Sequence, residues 1–115
     1  MNLLTLIAVI KRRYAPAKAW DARQLFAWVR WFYEHNLLLV LRGPKNEVLG
    51  LAMARRLPAG VSASEPYAHA EDGPTVVVEL VIARQRGALS AMIRALRLRF
   101  PNTPAKIAWE RSARG

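Results

Sequence analysis

Thr75-Val76-Val77-Val78-Glu79-Leu80-Val81-Ile82, continued by Ala83-Arg84-Gln85-Arg86-Gly87-Ala88, is the stretch whose reading decides the fold. Its first eight residues are nearly all β-branched or apolar, the pattern of a strand covered on both faces. From Ala88 onward Leu89, Met92, Ile93, Leu96 and Phe100 recur at three and four, which predicts an amphipathic helix with Arg94, Arg97 and Arg99 off its apolar stripe. Pro101, Asn102 and Pro104 end that helix, and Lys106 to Glu110 reads as a further strand. If both strands lie in one sheet, the unit is a right-handed crossover. The turn between strand and helix is basic and carries one glycine. A glycine lets backbone approach a ligand closely, and a helix start favours negative charge. Arg84 and Arg86 add cationic donors. The turn therefore reads as an anion site; an ordinary strand-to-helix turn with solvated arginines has the same residues.

Upstream, Leu37 to Leu41 is a short apolar strand, Arg42 to Asn46 a turn, and Glu47 to Leu57 the returning strand of a hairpin. Gly50 within it marks a bulge or a close approach of backbone. Pro58 to Pro74 is the one long loop, rich in Pro, Gly, Ser and Ala, of the kind that is often functional or mobile. Before the hairpin, Ala17 to His35 reads as a long helix with Asp21 in its first turns and a core stripe of Leu25, Trp28, Val29 and Phe32. Trp20 and Trp31 fall on its other side, where they meet either a second part of the chain or another copy. Pro16 breaks or starts a helix. Asn2 to Ile10 is apolar, with Leu3, Leu6, Ile7, Ile10 and Tyr14 on one helical face and Lys11, Arg12 and Arg13 after it. Secretory signals carry their charges before the apolar run, and a spanning helix needs roughly 20 residues. A packed helix is the reading, with a membrane-surface helix as the alternative. The order ααβββαβ predicts a single α+β (α/β) domain whose mixed, mostly antiparallel sheet has helices on its faces.

The chain has 115 residues, enough for one domain with a real core, and its 53% hydrophobic content suits a globular protein and argues against disorder. It has no cysteine, so disulfides and thiolate metal sites are excluded, and a reducing, cytoplasmic setting is expected. Two distant histidines argue against any metal site. The net charge is +10. Such a field attracts nucleic acid, acidic lipid or phosphorylated ligands, although the excess of Arg over Lys with abundant Ala also fits a GC-rich coding sequence. No Walker phosphate loop and no serine–histidine–acid set is recognisable.

The element order and the turn together resemble the GNAT acetyltransferase superfamily. There, two helices and a hairpin precede a central strand, a turn of the form Arg/Gln-x-x-Gly-x-Gly/Ala, a helix and another strand. Arg84-Gln85-Arg86-Gly87-Ala88-Leu89 matches at Arg84 and Gly87 and departs at Leu89, where the family has a small residue. The resemblance implies that the amides of this turn bind the pyrophosphate of acetyl-coenzyme A or another acyl-coenzyme A. It implies that Leu80, Val81, Ile82 and Ala83 run beside the pantetheine arm. It also implies that Glu79 is the general base for acylation of an amine. A carboxylate in an apolar strand would have its pKa raised, which suits that role, whereas a structural ion pair with an arginine is the competing reading. The family continues with a further helix and strands, while only four residues follow Arg111. A partner subunit completing the sheet, or a relic without catalysis, is the corresponding expectation.

Tyr67, His69, Glu71 and Asp72 in the long loop are substrate-contact candidates or simply a solvated loop. His35 reads as a capping or surface residue. Two other functions stay open: a basic nucleic-acid-binding module, and a structural subunit that oligomerises through its open sheet edge or the Trp20/Trp31 face.

Overall fold

The computed structural model describes residues 2–101 and 107–109. Helix α1 spans Leu3–Arg13, α2 Ala22–Glu34 and α3 Ala88–Arg99; strands are β1 Leu38–Arg42, β2 Val48–Leu57, β3 Thr75–Ala83 and β4 Ile107–Trp109. The strands form one sheet in the order β1-β2-β3-β4, antiparallel except for the parallel β3–β4 pair. This is the mixed α+β architecture expected from the order ααβββαβ. Lys106 and Glu110, the expected ends of the last strand, lie outside the described residues, as do Asn102 and Pro104.

Each helix has a local cause. Asn2 caps α1 by accepting from the Leu4 N–H at 3.0 Å, and Lys11, Arg12 and Arg13 occupy its last turn, where positive charge is favoured. Leu6, Val9 and Ile10 of α1 and its C-cap Tyr14 are buried, while Leu3 and Ile7 pack partly against the core. The expected helix from Ala17 to His35 is interrupted. Pro16 starts a 3₁₀ turn over Ala15–Ala19, Trp20 is extended, and Asp21 caps α2 through the Arg23 N–H at 2.8 Å. Asp21 thus precedes the helix rather than sitting in its first turn. Its short carboxylate competes for a free backbone N–H better as a cap than as a helical residue.

On β2 the period-2 rule separates two faces. A Cβ at Gly50 would lie 3.3 Å from the Cγ of Met92 on α3 and 3.0 Å from the Ile82 carbonyl, so the even positions face α3 and the glycine is a close-approach point. Arg56 shares that face, while Leu51, Met53 and Arg55 point to the other, where Arg55 lines a cavity with Trp28 of α2. Leu25, Val29 and Phe32 of α2 and Met92, Leu96 and Phe100 of the α3 region are buried in one apolar cluster with the sheet. The expected α3 stripe needs one change: Ala88 is buried and Leu89 is 49% exposed.

Two bulges re-aim side chains. Leu41 faces Gly50 while Arg42 faces Val48, which leaves Leu49 extra. Met53 faces Leu80 while Ala54 faces Val78, which leaves Glu79 as the extra residue of β3. A bulge bends the strand and turns its extra residue out of the regular alternation.

Candidate functional site

The turn after β3 is built around Gly87, whose φ of +85° is left-handed. A Cβ there would meet nothing within 4 Å, so the backbone conformation rather than crowding calls for glycine. Gly87 caps α3 with no side-chain bond, and the Ala88 N–H donates to the Gln85 carbonyl at 3.2 Å. The N–H groups of Arg86, Gly87, Leu89 and Ser90 have no acceptor among the described residues. Arg86 is exposed with no side-chain partner there, so it remains available to an anion. Arg84 is committed differently: its N–H donates to the Leu49 carbonyl at 2.8 Å and its guanidinium to the Val48 carbonyl at 3.1 Å. Leu89 turns its side chain partly to solvent, so its bulk does not close the turn.

Leu80 and Ile82 are buried and Val81 and Ala83 half-buried. They pair with Gly50 to Met53 of β2 on one side, while described pairing with β4 involves Val76 to Val78. The Ala83 carbonyl accepts from Arg13 Nη2 at 3.2 Å, so the basic end of α1 reaches the same strand end as the turn. Arg13 Nε is buried there without a partner among the described residues.

Glu79 lies mid-strand on the opposite side of the sheet from α3. Arg55, 1% exposed, donates to its Oε1 from Nε at 2.6 Å. The other two guanidinium nitrogens donate to the Ala68 and Ala63 carbonyls at 2.9 and 2.7 Å. The ion-pair reading of Glu79 is therefore what the geometry holds, and the carboxylate's Oε2 has no partner among the described residues. Glu79 also lines a cavity of about 230 Å³ with Trp28, Arg55, Ala63, Ser64, Pro66 and Tyr67.

A second cavity of about 350 Å³, walled by Trp20, Gln24, Ala27, Trp28 and Tyr67, shares Trp28 and Tyr67 with the first. Trp20 stands edge-on to Trp28 at 5.0 Å, and Trp31 contacts Phe32, His35 and Tyr67. Both tryptophans are thus half-buried against this chain's own residues. Tyr67 has φ +59°, a left-handed conformation unusual for a bulky residue and costing about 1–3 kcal/mol. The carbonyl next to it, that of Ala68, is held by Arg55.

On the α3 face, Arg56 donates to the Gly73 carbonyl at 3.0 Å and to the Pro101 carbonyl at 3.2 Å. Its backbone N–H donates to His69 Nδ1 at 2.9 Å, which fixes that nitrogen as an acceptor and leaves Nε2–H to bond Glu71. Arg99 grips the same carboxylate with two nitrogens at 3.0 and 3.3 Å. Hydrogen bonds from Arg99 first and His69 second lower the Glu71 pKa to about 2. His69, Glu71 and the loop are thus structurally committed, with the long loop anchored at Ala63, Ala68, His69, Ala70 and Gly73. His35 caps α2, its Nδ1 2.8 Å from the Trp31 carbonyl, and stacks on Trp31, as a capping residue.

Arg55 and Ser64 are the site residues that sequence reading did not single out, and Trp28, expected in the core stripe of α2, also lines the cavity. A signal existed: Arg55-Arg56 interrupts an otherwise apolar strand, and neighbours on a strand serve opposite faces. Among the described residues no three His, Asp or Glu side chains gather to hold a metal, and no helix is long and apolar enough to cross a membrane. No family model matches the chain, and searches of curated proteins and of solved structures found no match.

Proposed function

We propose that the chain is a GNAT-like domain that binds an acyl-coenzyme A and acylates an amine. The observation that carries this reading is the turn at Gly87, where a left-handed glycine joins β3 to α3 and four backbone N–H groups in the turn have no acceptor among the described residues. The amides of Arg86, Gly87, Leu89 and Ser90, with the Arg86 guanidinium, would hold the diphosphate, because helix-start amides and a cation favour that charge. Leu80 to Ala83 would run beside the pantetheine arm. An acyl-coenzyme A, when bound, would supply an acyl group activated as a thioester, with the coenzyme A thiol as the leaving group. Glu79 holds the acceptor's ammonium through Oε2 and takes its proton, while Arg55 fixes the carboxylate's position.

Isothermal calorimetry tests the reading. Saturable coenzyme A binding is expected in the wild type and its loss in Gly87→Glu, with the far-UV spectrum unchanged. No heat at millimolar coenzyme A overturns it. A second reading draws on Arg86, Arg94 and Arg97, which are exposed and carry no side-chain partner among the described residues. Retardation of nucleic acid that falls steeply with salt, without coenzyme A binding, would put a polyanion-binding module in its place.

A further inference from the structure

The aromatic groove between α2 and the long loop offers a chemistry of its own. It is made of two adjoining cavities that share Trp28 and Tyr67: one is walled by Trp20 and Gln24, and the other ends on the Arg55–Glu79 pair as its floor. Each nitrogen of Arg55 already donates, to Glu79, Ala68 and Ala63. An anionic ligand therefore finds no uncommitted cation on this floor and meets a carboxylate. The group on offer is Glu79 Oε2, an acceptor that calls for an N–H donor, with the carboxylate side chain 16% exposed. Aromatic faces favour a cation and bury an apolar body at the same time. Tyr67 is 45% exposed, yet it is held in a left-handed conformation at the junction of the two cavities by a loop that a buried arginine clamps on both sides. One side of Tyr67 packs on Trp31 at 5.2 Å, and the residue also borders both cavities, so the strained backbone holds an aromatic ring where a ligand would enter.

We propose that this groove binds a hydrophobic amine, its ammonium on Glu79 Oε2 and its flat or aliphatic body between Trp20, Trp28 and Tyr67. That this amine is the acyl acceptor rests on the function proposed above; the binding itself does not. A carboxylate floor with aromatic walls selects amines over equally apolar neutral molecules, and it selects arylalkyl amines over short polar ones.

The test is a titration of the wild-type protein with 2-phenylethylamine and, separately, its neutral counterpart 2-phenylethanol, followed by calorimetry and tryptophan fluorescence. The amine is expected to bind about tenfold or more tightly than the alcohol, as a charged hydrogen bond and cation–π contacts predict. Tyr67→Gly, which relieves the left-handed backbone, should weaken both ligands. Glu79→Gln should remove the preference for the amine. Equal affinity for the two ligands, binding that is unchanged in Tyr67→Gly, or no amine binding overturns the proposal. The last includes the case in which sedimentation shows a dimer that Trp20→Ala converts to monomer, so that a second copy occupies the groove. Coenzyme A is titrated in a separate arm. Amine binding without coenzyme A binding leaves this inference standing and removes the acyl-coenzyme A reading; the reverse result removes only this one.

Discussion

Arg55 and Arg56 on β2 differ from Arg84 and Arg86 at the end of β3 in what surrounds them. The first two are buried, point to opposite faces of the sheet and bond the carbonyls of Ala63, Ala68, Gly73 and Pro101. They pin a 17-residue loop from below and above the sheet. In the second region the backbone, not the side chains, is left with unmet demand. Arg84 folds back onto Val48, Arg86 is exposed, and the amides around Gly87 have no acceptor among the described residues. The net charge of +10 merges these two populations. A buried arginine whose every nitrogen donates is part of the scaffold, whereas helix-start amides without acceptors beside an exposed arginine are groups that an anion would satisfy.

The clamp is where the comparison should break most visibly. Arg55→Met leaves Glu79 without its cation and two loop carbonyls without donors. We expect a loss of about 3–5 kcal/mol in urea unfolding, the usual cost of removing one member of a buried pair. Arg55→Met with Glu79→Met should recover the part due to the unpaired carboxylate, while the part due to the Ala63 and Ala68 carbonyls, still without donors, should remain. A single substitution costing less than about 1 kcal/mol would show that the clamp is ornamental and that the two regions do not differ as argued.

At the turn the expected effect is smaller and purely conformational. A Cβ on Gly87 has open space, so Gly87→Ala should cost about 1–2 kcal/mol from the left-handed backbone alone. Gly87→Asn should cost less, because asparagine tolerates that region. Equal stability of all three would mean that the turn relaxes to another conformation, and the array of amides around it would no longer be a fixed feature.

The sequence made the second region easier to read than the first. Thr75 to Ile82 is so rich in β-branched residues that the strand, the glycine turn and the helix after it were legible from composition and period. The repeat at three and four puts Leu89 on the buried stripe, yet the first turn of α3 buries Ala88 instead. The start of α2 was ambiguous because Pro16 suits either a helix start or a break, and the cap at Asp21 decided it. Glu79 was legible as a lone charge in an apolar strand. Its bulge and its partner were not, because register and the return of a loop across a strand are long-range properties. Nothing in the residue type of Tyr67 announces a left-handed backbone; the contacts made by its neighbours impose it.

The mildest test concerns Glu71, which joins the loop to α3 through Arg99. Its pKa is lowered from 4.5 to about 2, mainly by the Arg99 hydrogen bonds and then by His69. A carboxylate with a depressed folded-state pKa adds stability that is fully present above its unfolded value and is lost as pH falls toward the folded value. The loss belongs between roughly pH 4.5 and 2. The Glu71 side chain is 66% exposed, so solvent screening should hold the effect below about 1 kcal/mol. Arg99→Ala should flatten this part of the stability–pH curve relative to wild type while leaving the curve's shape above pH 6 unchanged. The substitution also frees the Asn36 carbonyl, which accepts from Arg99 Nε at 2.8 Å, so a uniform offset at every pH is expected as well. Only the pH-dependent part reports on Glu71. If wild type and Arg99→Ala lose stability in parallel between pH 4.5 and 2, the carboxylate contributes nothing to holding the loop, and the clamp rests on Arg55 and Arg56 alone.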